Sequence, residues 1–458
     1  MKPPKSVYIH TIGCQMNVYD SDRIAGGLIP LGYQRIPEPE SADLVILNTC
    51  AIREKAEQKV FSFLGRMAGL KRINPEMRIG VGGCVAQQEG RKILDRAPYL
   101  DLVFGTHAVG RLPALVRQME TAENCLVDVA LSDTIQESPF FSAASDPNQI
   151  SRFVTIMQGC DNYCSYCVVP YVRGREMSRT PERILSEIRS LVADGACEVT
   201  LLGQNVNSYG KKEGLCDFSE LLTQINEIEE LLRIRFTTSH PKDLSDNLIA
   251  CFSTLDKLCR HIHLPVQSGS TRILSRMNRK YSREMYQDNI DRLRKACPDI
   301  AITTDIIVGF PGETSEDFAD TLSLIRQVNY DGLFAFMYSD RPNAPAASFT
   351  DKISNTEKAD RLQQVLGLQE ILTVEKNKSL VHSVQEVLVE GLSQRITVSD
   401  PGLDSVPQWY GRTPGHKIVH FPEPENSSDS GNIGRLRQIR IEKAFSHSLW
   451  GKPVQQEK

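Results

Sequence analysis

No stretch of this sequence approaches 18 consecutive apolar residues, which excludes an ordinary membrane-spanning helix. The opening Met1-Lys2-Pro3-Pro4-Lys5 runs into a short alternating strand pattern and lacks the apolar core of a secretory signal, so the chain is expected in the cytoplasm, with no membrane partner. An excess of one charge is missing too. The 53 Lys and Arg stand against 57 Asp and Glu, a formal net charge of -4, so any nucleic-acid partner must be held by local patches rather than a global field. Disulfides are not expected in a reducing compartment, and the 12 cysteines read better as metal ligands and free thiols. At 458 residues the chain is too long for one ordinary domain; roughly 150 residues per domain gives two to four.

A fourth cysteine is missing where it matters most. Gln158-Gly159-Cys160-Asp161-Asn162-Tyr163-Cys164-Ser165-Tyr166-Cys167 carries three cysteines at CxxxCxxC spacing, straight after the apolar run Phe153–Met157. Structural zinc takes four protein ligands, and a four-iron cubane takes four cysteines, one per iron. Three leave one iron open to a chelating substrate. A zinc site borrowing a distant fourth ligand, or three small core residues, are the alternatives. The spacing resembles the signature of radical S-adenosylmethionine (SAM) enzymes, in which the amino and carboxylate groups of SAM occupy the open iron.

In the N-terminal third, Val7–Ile12, Leu44–Leu47 and Arg78–Val81 are short runs rich in β-branched residues, separated by segments long enough for crossover helices. This alternation predicts an open parallel α/β domain. Each run is followed by a turn and a cysteine: Cys14, Cys50 and Cys84. In such a sheet the loops beyond the carboxyl ends form the binding crevice, so three strands would deliver three cysteines to one edge. A single one of them would more often be a buried apolar thiol. Residues from about Val127 to Ser151 carry no sustained period and hold several Pro and Ser, and they read as a linker.

Six strand-like runs follow: Phe153–Met157, Glu198–Leu202, Ile234–Thr238, His261–Val266, Ala301–Val308 and Leu333–Tyr338, with helical patterns between them. Six βα units predict an incomplete relative of the eight-fold barrel, open on one side, with its chemistry at the carboxyl ends. Those ends hold Gly203, Gln204, Asn205, Ser239, Gln267, Ser268 and Gly309, small or amide-bearing residues suited to the ribose and adenine of a nucleotide-like cofactor, although ordinary turn chemistry explains each singly. Arg173, Arg175 and Arg179 follow the cysteine loop, as solvated surface or as phosphate contacts.

Beyond the helical stretch Glu357–Lys378, short strands at Gln385–Val389, His416–Phe421 and Leu436–Ala444 predict a small antiparallel β-barrel of OB type. Glu375–Phe445 carries nine basic and nine acidic side chains, so a case for RNA rests on clustering. Arg435, Arg437 and Arg440 lie close together, and Trp409, Tyr410 and Arg412 combine stacking surface with charge. A purely structural barrel is the alternative. All six cysteines of interest precede this module, so it reads as separable from them. Cys125, Cys197, Cys216, Cys251, Cys259 and Cys297 show no metal spacing.

Taken with Thr11–Ser21, Cys167–Arg175 and Leu202–Gly210, the three parts resemble the radical-SAM methylthiotransferase family over nearly the whole chain. The resemblance implies an N-terminal methylthiotransferase domain (5–122), a linker (123–145), a radical-SAM core (146–376), an RNA-binding TRAM domain (377–446) and a tail (447–458). It implies two 4Fe-4S clusters, one on Cys160, Cys164 and Cys167 that cleaves SAM, and an auxiliary one on Cys14, Cys50 and Cys84 that holds sulfur. The implied reaction places a methylthio group on C2 of N6-dimethylallyladenosine, at position 37 beside the anticodon of tRNA. A monomer acting on tRNA, with a reducing partner such as flavodoxin or ferredoxin, follows from the same resemblance, with RNA contacts expected at Arg173, Arg175, Trp409, Arg412, Arg435 and Arg437. Sister enzymes act on threonylcarbamoyladenosine in tRNA or on a ribosomal protein, and an iron-sulfur electron carrier that binds RNA is a reading of another class.

Overall fold

The computed structural model describes residues 4–50, 54–135, 149–393, 408–422 and 432–454, with the backbone alone at 54–57. Its first layer is a six-stranded parallel sheet of β1 (Lys5–Ile12), β2 (Tyr33–Arg35), β3 (Leu44–Thr49), β4 (Arg78–Gly83), β5 (Leu102–Phe104) and β6 (Leu126–Asp128), in the order β2-β1-β3-β4-β5-β6. Helices cover both faces, because the strands are apolar on both. Along β3, Val45 and Leu47 join a core with Val60, Leu64 and Met67 of the Glu54–Ile73 helix. Leu44 and Ile46 join another with Ile24 and Leu28 of the Gln15–Leu28 helix. Such two-sided burial is what a parallel sheet requires.

The linker expectation is corrected at its start. Leu126–Asp128 is the edge strand of this sheet, paired in register with Leu102–Phe104. Three residues are too few to show a period, and their partner lies far back in the chain. Of the remaining linker, residues 136–148 lie outside the described residues.

The central domain begins with β7 (Ser151–Thr155). A two-stranded ribbon, β8 (Met157–Gln158) with β9 (Met177–Ser178), brackets the cysteine loop. Five further strands complete the series: β10 (Glu198–Leu202), β11 (Arg233–Phe236), β12 (His261–His263), β13 (Ala301–Val308) and β14 (Gly332–Met337). They form two three-stranded parallel sheets, β11-β10-β7 and β12-β13-β14, and the isolated bridge Ile234–Leu258 links β11 to the segment that leads into β12. Among the described residues β7 and β14 do not pair, which leaves the six-strand series unclosed along that edge. One apolar core runs from Val154 to Val365 and fastens the surrounding helices to the strands.

The C-terminal module is a closed five-stranded barrel of β15 (Val384–Leu392), β16 (Gln408–Arg412), β17 (Ile418–Pro422), β18 (Leu436–Ala444) and β19 (Leu449–Pro453), ordered β15-β16-β17-β19-β18. Its strands are antiparallel except for the β17–β19 pair. The tail expectation is therefore corrected: Leu449–Pro453 closes the barrel between β17 and β18. The module also docks on the core. Arg233 donates to the carbonyl of Arg412 at 2.6 Å, and Arg235 donates to the carbonyls of Thr413 and Pro414 at 2.8 and 2.9 Å. No helix among the described residues is long and apolar enough to cross a membrane.

Candidate active site

The three N-terminal cysteines stand at the carboxyl ends of three adjacent strands, β1, β3 and β4. Two buried asparagines stitch their loops together. Asn17 Nδ2 donates to Asn48 Oδ1 at 3.1 Å and to the Thr49 carbonyl at 3.0 Å, while Asn48 Nδ2 donates back to the Asn17 carbonyl at 2.9 Å. Asn17 Oδ1 accepts from the Cys14 amide at 3.2 Å. Gly83 has φ +89°, and a Cβ there would stand 2.3 Å from the Thr49 carbonyl oxygen, so only glycine lets β3 and β4 end side by side. Cys50 and Cys84 are buried. Cys14 itself is exposed, and a hydrogen bond from Cys50, with help from Arg173 and the helix amides of Met16 and Asn17, brings its thiol down to about 6 against partial desolvation by its neighbours. Burial pushes the Cys84 thiol up, with Arg173 opposing.

The other three cysteines lie in the loop between β8 and the short helix Val169–Val172. Gly159 opens the loop at φ +81°, where a Cβ would meet the Arg175 carbonyl at 2.0 Å, and its amide donates to Gln204 Oε1 at 2.5 Å. Burial, with the neighbouring sulfurs adding to it, raises the Cys160 and Cys167 thiols to about 11 and about 12. Such thiols become thiolates readily only when a cation shares the site. Among the described residues no three His, Cys, Asp or Glu side chains converge on a single metal ion. A cubane takes one thiolate on each of three irons and leaves the fourth iron open, so three thiols are a donor set of the right number for one.

The two triads share one seam. Cys84 packs against Val168 and Val172 of the segment that leaves Cys167. Thr106 Oγ1 donates to the Val172 carbonyl at 2.7 Å, and His107 Nε2 donates to the Arg173 carbonyl at 2.8 Å. Arg173 pairs with Asp20 at 2.8 Å and also faces Cys84 and Cys14. A cavity of about 60 Å³ lies along the seam, lined among others by Tyr19, Arg23, His107, Gln158 and Arg173.

At the carboxyl ends of β10 and β11 several buried polar atoms have no partner among the described residues: Asn205 Oδ1, both amide atoms of Asn207, Ser239 Oγ and His240 Nε2. Burial holds the His240 imidazole far below its ordinary pKa, so it is neutral. Buried orphans are costly, and their gathering beside the cysteine loop fits a polar, nucleotide-like ligand. Neither Asn207, inside the Leu202–Gly210 stretch, nor His240, next to Ser239 at the end of β11, was among the residues expected around SAM.

Model comparison matches residues 6–105 to an uncharacterized protein family, UPF0004, and residues 154–325 to the radical SAM superfamily. The tRNA-2-methylthio-N(6)-dimethylallyladenosine synthase of Desulfosudis oleivorans is 53% identical over 99% of this chain and 98% of its own length. The Geobacter metallireducens enzyme of the same name is 51% identical over 98% of this chain and 99% of its own. The chain belongs to this radical-SAM methylthiotransferase family. Membership carries with it a 4Fe-4S cluster and SAM as cofactors. Among solved structures, the radical SAM methyltransferase TsrM from Kitasatospora setae, with tryptophan and a SAM analogue bound, superposes with a TM-score of 0.55 at 12% identity, over 87% of this chain and 79% of that one, a likeness of fold.

Several residues of this methylthiotransferase lie elsewhere than its sequence suggests. Arg173 is 4% exposed and belongs to the seam, which withdraws it from RNA. Trp409, 1% exposed, fills the C-terminal barrel opposite Phe421 and offers no stacking face. Arg437 points with the inward phase of β18 and donates to Asn432 Oδ1 at 2.7 Å. Arg412 pairs with Glu390 at 2.5 Å, and Arg175, largely exposed, pairs with Asp161 at 2.9 Å. Arg435 and Arg440 are exposed. Of the residues expected around SAM, Gly203, Gln204, Asn205 and Ser239 cluster beside the cysteine loop. Gln204 also reaches Met16 of the N-terminal domain. Gln267, at φ +75°, continues the β12–β13 pairing. Ser268 is fully buried against Thr321 and Ser270, and the Gly309 amide donates to Glu313 at 2.6 Å.

Proposed function

We propose that this chain transfers a methylthio group to C2 of N6-dimethylallyladenosine beside the anticodon of tRNA. The observation that supports this most is the meeting of two cysteine triads, from two domains, across one seam. Replacing hydrogen on an adenine ring carbon offers no acidic proton and no leaving group, so acid-base catalysis has no purchase there. Cys160, Cys164 and Cys167 would hold the cluster that, with SAM bound, supplies a carbon radical able to take that hydrogen. Cys14, Cys50 and Cys84 would hold a second cluster, which supplies the sulfur.

This chain's own residues position those groups. Asn17, Asn48 and Gly83 fix the three N-terminal thiols at one sheet edge, and Arg173 with Asp20 ties that edge to the helix after Cys167. Asn205, Asn207, Ser239 and neutral His240 offer hydrogen bonds to the ribose and base of SAM. The open side of the partial barrel admits a nucleotide extruded from an RNA loop, which costs less than opening a duplex. Beside it, a groove of about 540 Å³ lies between β14, the Asn355–Ser379 helix and the C-terminal barrel, lined by Phe334, Leu366, His416, Lys417 and His447 among others. That barrel we read as a TRAM-type, OB-like RNA module, with Arg435 and Arg440 as phosphate contacts.

Nucleoside mass spectrometry of tRNA from cells with and without the gene tests the reaction directly: the methylthiolated nucleoside should vanish and its prenylated precursor accumulate. In vitro, alanine at Cys160, Cys164 and Cys167 together should abolish 5′-deoxyadenosine formation. Alanine at Cys14, Cys50 and Cys84 should leave it intact while stopping methylthio transfer. Loss of both functions in a folded N-terminal triple variant would refute the division of roles.

A further inference from the structure

The cysteine loop is gripped from behind by one segment, Arg276–Tyr281, to which neither the spacing of the cysteines nor the strand ends point. Ser165 donates its amide to the Met277 carbonyl at 3.0 Å and its hydroxyl to the Arg276 carbonyl at 2.9 Å. Asn278 Nδ2 donates to the Tyr163 carbonyl at 2.9 Å. Asn278 and Lys280 both have positive φ, +58° and +63°, a left-handed pair that turns the residue between them inward. Backbone strain of this kind persists where the surroundings over-determine it, and it gathers at functional sites.

The residue between them is Arg279, 4% exposed. Its guanidinium donates to Cys164 Sγ at 3.5 Å, Tyr166 OH at 3.3 Å, Tyr281 OH at 2.9 Å and the Pro265 carbonyl at 2.6 Å. Among the described residues no carboxylate meets it. Five other buried arginines have one: Arg173 pairs with Asp20, Arg179 with Glu187, Arg233 with Glu386, Arg235 with Glu198 and Arg361 with Glu313. A buried cation without an anion costs several kcal/mol, so the neighbouring sulfurs must supply the balancing charge. Three thiolates make a cubane site anionic overall, and each added electron makes it more so.

We propose that Arg279 is a positioning residue that sets the redox balance of the Cys160, Cys164 and Cys167 site. It holds the Cys164 sulfur by an N–H···S bond and favours the state carrying one extra electron, which a one-electron carrier protein delivers. No bond forms or breaks in this step; the site gains one negative charge next to a fixed positive one. Hydrogen bonds to cluster sulfurs and nearby charge are recognised controls of reduction potential. This rests on the radical-SAM reading of the motif.

The test is a potentiometric titration of the reconstituted full-length protein, followed by electron paramagnetic resonance on the signal that SAM perturbs. Arg279→Met, which removes the charge at similar length, should lower the reduced-to-oxidised ratio at fixed potential about tenfold, a shift of about 59 mV for one electron. Arg279→Lys, which keeps the charge and loses the fork, should shift it less. A purely structural role would lower iron content without moving the potential of the sites that load. Arg279→Met with full iron and an unchanged potential overturns the proposal. If Arg279→Met fails to hold iron, an Arg279→Lys protein titrating at or above the unsubstituted one overturns it instead. Absence of any SAM-sensitive signal in the unsubstituted protein refutes the reading of the motif itself, and this proposal with it.

Discussion

Arg173 and Arg435 look alike in the sequence, each in a row of basic residues, yet they differ in what surrounds them. Arg173 carries its charge into a seam where Asp20 meets it at 2.8 Å and two thiols stand close by. Arg435 stands in solvent. Removing one partner of a buried pair strands the other, so Arg173→Met should cost about 3 kcal/mol or more in urea unfolding. Arg435→Ala should leave unfolding unchanged and reduce the slope of log affinity for tRNA against log salt by about one. If Arg173→Met lowers the salt slope with no loss of stability, the two roles have been exchanged. A second residue-scale consequence concerns Glu176. Burial is the main cause that raises its carboxyl to about 7, with Asp161, Asp243 and Glu213 adding repulsion and Ser208 opposing. The folded pKa lies above the unfolded one, so its contribution is present at low pH and is lost as pH rises through about 7. Glu176→Gln should flatten the fall in urea midpoint across that window; an unchanged pH profile would show that Glu176 ionises freely.

At the scale of elements, the parts of the fold legible in the sequence are those with enough residues to show a period. β10 and β13 begin and end where the apolar runs do, at Glu198–Leu202 and Ala301–Val308. β6, β16 and β19 went unread because Leu126–Asp128 is only three residues long and Gln408–Arg412 and Leu449–Pro453 break their apolar pattern at Gly411, Gly451 and Pro453; pairing with distant partners fixes them. Trp409 follows from the same blindness: once β16 is a barrel strand, its tryptophan faces the interior. The cysteine triads were legible because a turn after a strand has a fixed address in a parallel sheet, at its carboxyl edge. What the sequence could not show is the cradle around them: Asn17 on Asn48 and Arg279 on Cys164, which are contacts between segments far apart in the chain, and the burial that leaves Asn207 and His240 with orphaned polar atoms. Gly83 bridges the two levels. A left-handed φ costs a side-chain-bearing residue about 1–2 kcal/mol, and the Thr49 carbonyl leaves no space for a Cβ. Gly83→Ala should separate the ends of β3 and β4, so that iron bound after reconstitution falls by about half while SAM cleavage continues. Full iron in that variant would show that the crevice tolerates a shift of Cys84.

The whole molecule is less modular than its sequence suggests. All six cysteines precede the C-terminal barrel, which argues for a detachable arm, yet the barrel supplies acceptors to charges buried in the core. Arg233 and Arg235, 3% and 4% exposed, spend five hydrogen bonds on its residues: Arg233 on the Arg412 carbonyl and on the carbonyl and carboxylate of Glu386, Arg235 on the carbonyls of Thr413 and Pro414. At the joint itself Asn377 Nδ2 donates to the Phe445 carbonyl at 2.7 Å, and His261 rests against His416 with ring centroids 5.3 Å apart. A chain ending after Lys378 exposes or strands all of these groups. Arg235 keeps Glu198, at 2.8 Å, while Arg233 loses Glu386, the only carboxylate it pairs with among the described residues. Leaving a buried charge without partners costs several kcal/mol, comparable with the whole stability of an ordinary domain. Truncation should therefore lower the melting temperature of the remaining chain and reduce SAM cleavage along with tRNA binding, even with every cysteine in place. Calorimetry of the truncated and full-length proteins, with 5′-deoxyadenosine formation measured on each, decides the matter. Equal melting temperatures and equal cleavage would mean that the arginines relax into solvent at no cost, and that the barrel serves RNA alone.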